Sequence, residues 1–327
     1  MTHASQMQID LETQAVQRGG VFTRAEAIAT GMTDNDIARN VRRGDWHRVR
    51  KGCFVTSAAW AAADDIGRLA FRCHAAVDKG RRTLVSHETA ALLDDLPLFL
   101  PGDLRPDFER VVLTMPVPPG SRPRVGTRVF VADMPENHQQ TVRGLTLTTP
   151  LRTAFDLARL HGETAGVVAA DAALHRGCDI AELESMVSDL ANWRGAASTR
   201  RLVDLVDAGS ESPGETLTRL LVRSLDLGPM ETQSLIRADG KEAEVDLRIG
   251  RLIIEFDGRS KYGDERRYGR SRDPSELLWS EKQREDWLRS LGFTVVRLTW
   301  ADLMPRRREA TARMLRERFA LAHRAAA

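Results

Sequence analysis

Apolar and polar residues alternate most regularly along residues 243–261, AEVDLRIGRLIIEFDGRSK. A period of two is typical of β-strands, and Gly250-Arg251 suits a two-residue type II′ turn between them. That turn pairs six apolar residues, Ile249 with Leu252, Leu247 with Ile254, and Val245 with Phe256. The same register pairs carboxylates on the other face, Asp246 with Glu255 and Glu244 with Asp257. The pattern predicts a hairpin with one buried face and one acidic face.

Residues 9–55 replace this alternation with the three- and four-residue spacing of short helices. Capping-box pairs begin two of the helices: Thr23 with Glu26, and Thr33 with Asp36. On the second helix, Ile37 and Val41 lie four positions apart and face the core. WHRVRKGCFV then predicts a two-stranded hairpin with Arg50-Lys51-Gly52 at its tip. This order of elements predicts a winged helix-turn-helix.

The rest of the chain predicts two further regions, so that the fold class is α+β and multidomain. Residues 58–208 form a mixed α/β region with predicted helices 66–79, 89–96, 149–160, 165–174 and 180–190, and predicted strands 111–115, 125–131 and 144–149. Ser212-Pro213-Gly214-Glu215 is the start of a helix in a last domain. Its order is helix, strand, hairpin, helix, strand and a basic helix. We therefore expect domains at 1–57, 58–208 and 209–327.

Composition limits the classes of function. The 327 residues carry a net charge of only +2, so any basic surface must be local. Cys53, Cys73 and Cys178 lie far apart without a CxxC, which argues against a disulfide framework or a cysteine zinc site. No apolar run reaches membrane-spanning length and no signal-peptide pattern begins the chain, so we expect a soluble cytoplasmic protein that binds no membrane.

The acidic face of the hairpin needs a physical explanation, because like charges placed opposite each other destabilise a sheet. A compensating cation is one explanation, and clustered carboxylates suit Mg²⁺, which prefers oxygen ligands. The alternative is a solvated acidic face. The pattern therefore predicts a divalent-cation site on this face, which carries Glu244, Asp246, Glu255 and Asp257.

Basic residues follow the predicted second helix and the hairpin of the winged region. The candidates for DNA contact are Arg39, Asn40, Arg42, Arg43, Arg50 and Lys51. A helix with arginine and asparagine beside a basic hairpin suits major-groove docking with phosphate contacts. The alternative is a solvated helix and hairpin that serve protein contacts.

Two stretches of the first two regions resemble one known family. GVFTRAEAIATGMTDNDIARNVRRGDWHRVRKGCFV resembles the N-terminal winged-helix domain of AbiEi antitoxins, which are DNA-binding transcriptional repressors. SHETAALL and TPLRTAFDLAR resemble the region that follows it in AbiEi-like proteins. The resemblance implies that the chain binds DNA, with its own promoter and a toxin as candidate partners.

The last third resembles a second family. SPGETLTRLL, EVDLRIGRLIIEFDG, EKQREDWLRSLG and FTVVRLTW resemble very-short-patch-repair (Vsr-like) endonucleases of the PD-(D/E)XK superfamily. The resemblance implies a restriction-endonuclease-like α/β fold and Mg²⁺-dependent phosphodiester hydrolysis. It assigns the metal to Asp246 and Glu255, and makes Asp257 a third ligand or a group that positions water.

The nuclease resemblance is incomplete at one position. Asp257 stands where the signature lysine belongs, so Lys261 becomes the candidate cation, with Lys282 and Arg284 as the other candidates and as possible nucleic-acid contacts. Glu215 matches the glutamate of the family's first helix, where its alternative role is helix capping. Pairing with the acidic face is the alternative role of Arg284.

Two functional hypotheses follow. The first is a DNA-binding protein with a Mg²⁺-dependent endonuclease domain. The second is an AbiEi-like antitoxin or repressor whose nuclease fold is catalytically inactive. The sequence decides neither the oligomeric state nor whether the chain is an enzyme. The basic run Arg306-Arg307-Arg308 is a further phosphate-contact candidate, or else a solvated face.

Overall fold

The computed structural model describes residues 11–324 apart from residues 14, 78–81, 103, 117–125, 192, 194 and 259–273; for residues 17 and 274–281 it describes the backbone only. The chain divides into two compact units. The N-terminal unit comprises Met1–Ala170 and Cys178–Val203, and the C-terminal unit comprises Asp171–Gly177 and Asp204–Ala327. Both units mix helices and strands. No helix within the described ranges has the length and apolar character needed to cross a membrane.

The N-terminal unit begins with a small three-stranded sheet. Its strands are β1 (Phe22–Thr23), β2 (Trp46–Arg50) and β3 (Cys53–Thr56), and β3 pairs antiparallel with both others. Helices α1 (Arg24–Ala29) and α2 (Asp34–Arg43) lie between β1 and β2 in the chain. They share a core with the sheet that is centred on the Phe22, Trp46 and Phe54 rings. A second cluster, which includes Val21, Val55 and Ala75, joins the sheet to later helices.

Both α1 and α2 begin at their predicted capping boxes. The Thr23 hydroxyl accepts the Glu26 N–H, the Thr33 hydroxyl accepts the Asp36 N–H, and each carboxylate accepts in return. Ile37 is buried and Val41 packs half-buried against the same core, so the predicted inner face of α2 is confirmed. The arginines of α2 are therefore turned toward solvent.

The rest of the N-terminal unit is built on a five-stranded mixed sheet. Its strands are β4 (Leu84–Val85), β5 (Val111–Met115), β6 (Thr127–Val131), β7 (Gln139–Val142) and β8 (Leu145–Thr148), in the order β6-β5-β4-β8-β7. The helices are α3 (Ser57–Ala62), α4 (Asp65–Ala76), α5 (His87–Leu93), α6 (Pro150–His161), α7 (Glu163–His175) and α8 (Ile180–Asp189). The sequence predicts β8 but not β7. The turn between them uses Arg143 and Gly144, both with positive φ, as a type I′ hairpin requires.

The C-terminal unit contains a four-stranded sheet. Strands β9 (Glu231–Ala238), β10 (Lys241–Ile249), β11 (Leu252–Phe256) and β12 (Thr294–Leu298) lie in the order β12-β11-β10-β9, and only the β11–β12 pair is parallel. Helix α9 (Leu202–Leu205) begins in the N-terminal unit and ends in the C-terminal unit. The C-terminal unit also contains helices α10 (Pro213–Arg223), α11 (Pro274–Ser290), α12 (Trp300–Leu303) and α13 (Pro305–Arg324). The predicted element order of the last domain is confirmed, with α12 added.

The β10–β11 hairpin confirms two of the five predicted residue pairs. Ile249 pairs with Leu252, Leu247 pairs with Ile254, and Gly250 has a φ of +55° in the turn. The ladder ends there among the described pairs, because the Asp246 carboxylate, at 2.8 Å, accepts the Phe256 N–H. Val245 joins Ile253 and Leu288 in one cluster, so its predicted place on the Leu247 face is wrong.

A fully buried ion pair lies in the core of the C-terminal unit. Arg219 on α10 donates to the Asp171 carboxylate at 2.7 Å, and both side chains are at most 2% exposed. Arg219 also donates to the Ser210 hydroxyl and the Leu205 carbonyl. Asp171 accepts from the Thr216 hydroxyl and the Asp207 N–H. The pair is thus satisfied on both sides, as a buried charge requires.

Candidate functional site

The outer face of α2 is a basic surface. Arg39, Arg42 and Arg43 are exposed, and Asn40 is half-buried. Arg39 forms an ion pair with Asp36 one turn earlier, which neutralises part of its charge. Among the described residues, Arg42 donates only to the Ala38 carbonyl of its own helix, at 3.3 Å. The described residues place no carboxylate in an ion pair with Arg42 or Arg43, so their charge is available to an external anion.

The β2–β3 hairpin extends this basic surface with fewer residues than predicted. Lys51 is exposed at the turn, where Gly52 has a φ of +77°. Arg50 is half-buried and donates to the Ala75 carbonyl at 3.0 Å, so it anchors the hairpin to α4. Arg48, which the sequence reasoning missed, is exposed and lies 5.8 Å from the Phe54 ring centroid. The alternating RVR run that precedes the turn was the available signal for it.

Asp246 is a partly buried carboxylate on β10, in the C-terminal unit. Burial raises the pKa of Asp246 to about 6, the Phe256 N–H opposes that rise, and the carboxylate of Glu215 adds to it. Glu215, Asp246 and Phe256 line one small cavity. The structure therefore brings two of the predicted site carboxylates, Glu215 and Asp246, together. Ionisation of Asp246 is unfavourable in this position.

Glu255 is the carboxylate that arginines neutralise. It is 7% exposed, and it pairs with Arg284 at 2.5 Å through Oε1 and with Arg297 at 3.4 Å through Oε2. Burial raises the pKa of Glu255, and the two guanidinium groups oppose the rise. Arg284 also donates to the Glu244 carbonyl. The alternative role of Arg284, pairing with the acidic face, is the one the structure shows.

The sequence reasoning missed Arg297, because the position of this residue depends on the order of the strands in the sheet. Arg297 lies beside Glu255 in the parallel β11–β12 register and also pairs with Glu285 at 3.1 Å. Placing Arg297 required the strand order, in which β11 and β12 are neighbours although α11 separates them in the chain.

The remaining predicted site residues have separate positions. The Glu215 carboxylate accepts from the Ser212 hydroxyl at 2.7 Å and from the Glu211 N–H, and the Ser212 hydroxyl accepts the Glu215 N–H, so Glu215 holds the start of α10. Asp257 donates its backbone N–H to the Leu298 carbonyl beyond the end of β11. Lys282 is exposed on α11. Lys261 lies outside the described residues.

The described residues do not form a complete magnesium site. They include no group of three or more histidine, cysteine, aspartate or glutamate side chains placed to hold a metal. Both oxygens of Glu255 face arginines, and one oxygen of Asp246 accepts a backbone N–H. In this arrangement arginines supply the positive charge that the acidic face needs.

We expect Asp246→Asn to stabilise the protein above pH 6. Because the folded-state pKa of Asp246 is raised, the contribution of this group to stability is greatest below about pH 4 and is lost as the pH rises through about 6. The amide removes this loss, so the variant should gain about 1–2 kcal/mol at pH 7.5 and nothing at pH 4, after allowance for partial exposure. Urea unfolding across this pH range measures the difference.

Glu244→Gln is the matched control for that measurement, since Glu244 is exposed on the same strand and loses the same charge. It should change the pH dependence little. An Asp246→Asn curve that runs parallel to wild type from pH 4 to 8 would contradict the electrostatic argument.

Comparison with known proteins adds one family and two relatives. Residues 107–207 match the model of the AbiEi antitoxin C-terminal domain. Two uncharacterized proteins of Mycobacterium tuberculosis, from strains CDC 1551/Oshkosh and H37Rv, are each 28% identical over 278 residues, which cover 83% of this chain and 92% of theirs. The family match includes TPLRTAFDLAR but lies outside the predicted winged helix and the acidic hairpin. The middle of this chain, from before β5 through α9, is therefore similar to the AbiEi antitoxin C-terminal domain.

Proposed function

We propose that the protein is an AbiEi-like DNA-binding regulator of the antitoxin type. Its winged helix-turn-helix, formed by α1, α2 and the β2–β3 hairpin, would bind operator DNA. The observation that carries the proposal is the pair of exposed arginines on α2, Arg42 and Arg43, which have no ion-pair partner among the described residues. The family match in residues 107–207 supports the antitoxin class, and with it a toxin as the protein partner.

The geometry of this surface suggests a division of roles. A helix that presents arginines from a fixed inner face suits the major groove, where guanidinium groups contact guanine edges and phosphates. Lys51 and Arg48 on the hairpin suit the adjacent phosphate backbone, which adds affinity without sequence information. Arg50, held by the Ala75 carbonyl, would position the hairpin instead.

The arginine pairs of Glu255 support the version in which the nuclease-like domain is inactive. A carboxylate that already faces two guanidinium groups has its charge compensated inside the protein. The C-terminal unit then serves as a binding or assembly module.

Binding to the protein's own promoter tests the proposal. Replacing Arg42 and Arg43 together by alanine should weaken operator binding about 100-fold, because each good arginine contact contributes about 1–3 kcal/mol. Fluorescence anisotropy with promoter and scrambled duplexes measures both affinity and preference. Arg128→Ala removes one positive charge from an exposed site on β6 and should leave binding unchanged. Wild-type protein with no preference for its promoter would overturn the proposal.

A Mg²⁺-dependent endonuclease is the second candidate. It is favoured by the raised pKa of Asp246 beside Glu215, a charge cost that a bound cation would relieve. If it holds, Mg²⁺ raises the melting temperature of wild type but not of Asp246→Asn, and only wild type nicks supercoiled plasmid. Absence of both effects would remove this candidate and leave the regulator untouched.

A further inference from the structure

The last helix, α13, carries a concentration of positive charge that the proposed function does not use. Its sequence, PRRREATARMLRERFALAHR, contains seven arginines against two glutamates. The side that packs on the C-terminal unit is formed by Thr311, Leu315 and Ala322, which are buried. All seven arginines are exposed.

Helical geometry gathers part of this charge on one side. At about 100° per residue, Arg306, Arg313 and Arg324 point within about 20° of a common direction, and Arg316 lies at the edge of the same side. The two glutamates of the helix also lie on this side, so its net charge is +2. We call the four arginines the basic face of α13. A rise of about 1.5 Å per residue spreads them over roughly 27 Å, which is long enough to pass several phosphates of a duplex.

The arginines of α13 differ from most others of the chain in having few partners. Arg307 pairs with Asp302 at 3.4 Å, but none of the four arginines of the basic face forms an ion pair or hydrogen bond with a described residue. Elsewhere in this unit several arginines are paired, for example Arg219, Arg248 and Arg284. Uncompensated guanidinium groups along one helix are a surface that an external polyanion would complement.

The structure favours a nucleic acid over a membrane as that polyanion. A helix that lies on a membrane must present an apolar face to the lipid. The apolar side of α13 is instead buried in its own unit, and Leu321 is its one large aliphatic side chain that is strongly exposed in the described structure.

We propose that the basic face of α13 is a second DNA-contacting surface, which binds the phosphate backbone of duplex DNA without reading its sequence. This inference extends the proposed function. It depends on that function for one assumption, that the ligand is DNA. Binding through α13 adds affinity, whereas α2 supplies the preference for one sequence.

The test is the salt dependence of DNA binding by the full chain. Each phosphate contact contributes about 0.9 to the slope of log affinity against log salt concentration. Replacing Arg313, Arg316 and Arg324 together by alanine should therefore lower the slope by about 2.7. Affinity for promoter and scrambled duplexes should fall equally, by at least about tenfold at 0.1 M salt, so the preference between them is unchanged.

Two companion variants separate charge from folding. Lysine at the same three positions keeps the charge and should keep most of the salt slope. If the arginines served only to pack the helix, lysine would not be expected to restore the slope. Glu309→Gln with Glu317→Gln removes the two acidic residues that lie among the arginines of the basic face, and should strengthen binding several-fold. Both are read by the same anisotropy titration, with circular dichroism to verify the fold.

The outcomes distinguish the two proposals. If wild type prefers its promoter and the alanine variant keeps the full slope, the α13 surface is overturned and the regulator stands. If wild type shows no promoter preference but the alanine variant loses slope, the regulator fails and α13 stands. An unchanged slope together with lost binding to phosphatidylserine vesicles would reassign the surface to a membrane and overturn the inference.

Discussion

Replacing Arg219 with leucine is expected to lower the unfolding free energy of the C-terminal unit by about 3–5 kcal/mol at neutral pH. The substitution leaves the Asp171 carboxylate buried with its hydroxyl and backbone donors but without its cation. Urea unfolding, together with hydrogen exchange at the amides of α10, measures the loss and assigns it to this unit.

The pH dependence gives that prediction a specific signature. Burial already raises the pKa of Asp171, and Arg219 opposes the rise. Without Arg219 the pKa rises further, so the folded variant holds a proton at Asp171. Its deficit should be small near pH 4 and grow as the pH rises, because ionising the buried carboxyl becomes the cost of folding.

Arg223→Leu is the matched control, since Arg223 is exposed one turn later on α10 and has no described partner. It should change stability by less than about 0.5 kcal/mol. A deficit of Arg219→Leu that does not vary with pH would show that lost packing, not an unpaired charge, causes it.

Gly214→Ala should also destabilise the C-terminal unit, by about 3 kcal/mol. A Cβ at position 214 would lie 2.0 Å from Cε1 and 2.2 Å from Cζ of the Phe256 ring. That ring meets Trp300 edge-on, with the centroids 5.1 Å apart, so it has little room to withdraw. Alanine within a helix normally gains up to about 1 kcal/mol over glycine, so even the sign of the effect tests the contact.

A double-mutant cycle with Phe256→Leu identifies the cause. The smaller side chain should relieve the clash, so the double variant should be more stable than the two single losses predict, by at least about 1 kcal/mol. Thermal unfolding of the four proteins is sufficient. A Gly214→Ala protein as stable as wild type would mean that α10 and β11 shift apart at low cost.

The elements that the sequence predicts well are those whose cause is local. Thr23 and Thr33 begin their helices because each cap needs only residues three positions ahead, and Gly250 sets its turn by its own φ. The sequence did not predict β7, because the turn after it lacks the usual Asn-Gly or Asp-Gly sequence of a type I′ turn. Arg143 stands before Gly144 instead, with a φ of +52°.

The candidate site was predictable only in part, because charge partners come from distant parts of the chain. The acidic residues were visible in the hairpin, but Arg284 is 29 positions from Glu255, and Arg219 is 48 positions from Asp171. The alternation of apolar and polar residues also cannot show where a side chain, and not a backbone carbonyl, accepts a hydrogen bond from the neighbouring strand. Asp246 does so at the Phe256 N–H, which moved Val245 away from its predicted face.

Helix α7 begins in the N-terminal unit, but its residues from Asp171 onward belong to the C-terminal unit. A fragment that begins at residue 204 therefore omits the carboxylate that neutralises Arg219. Such a fragment would carry an orphaned guanidinium in its interior and fold poorly for that reason alone. Dissection of this protein by truncation should keep residues 171–177 with the C-terminal half, or replace Arg219 with an apolar residue of similar size.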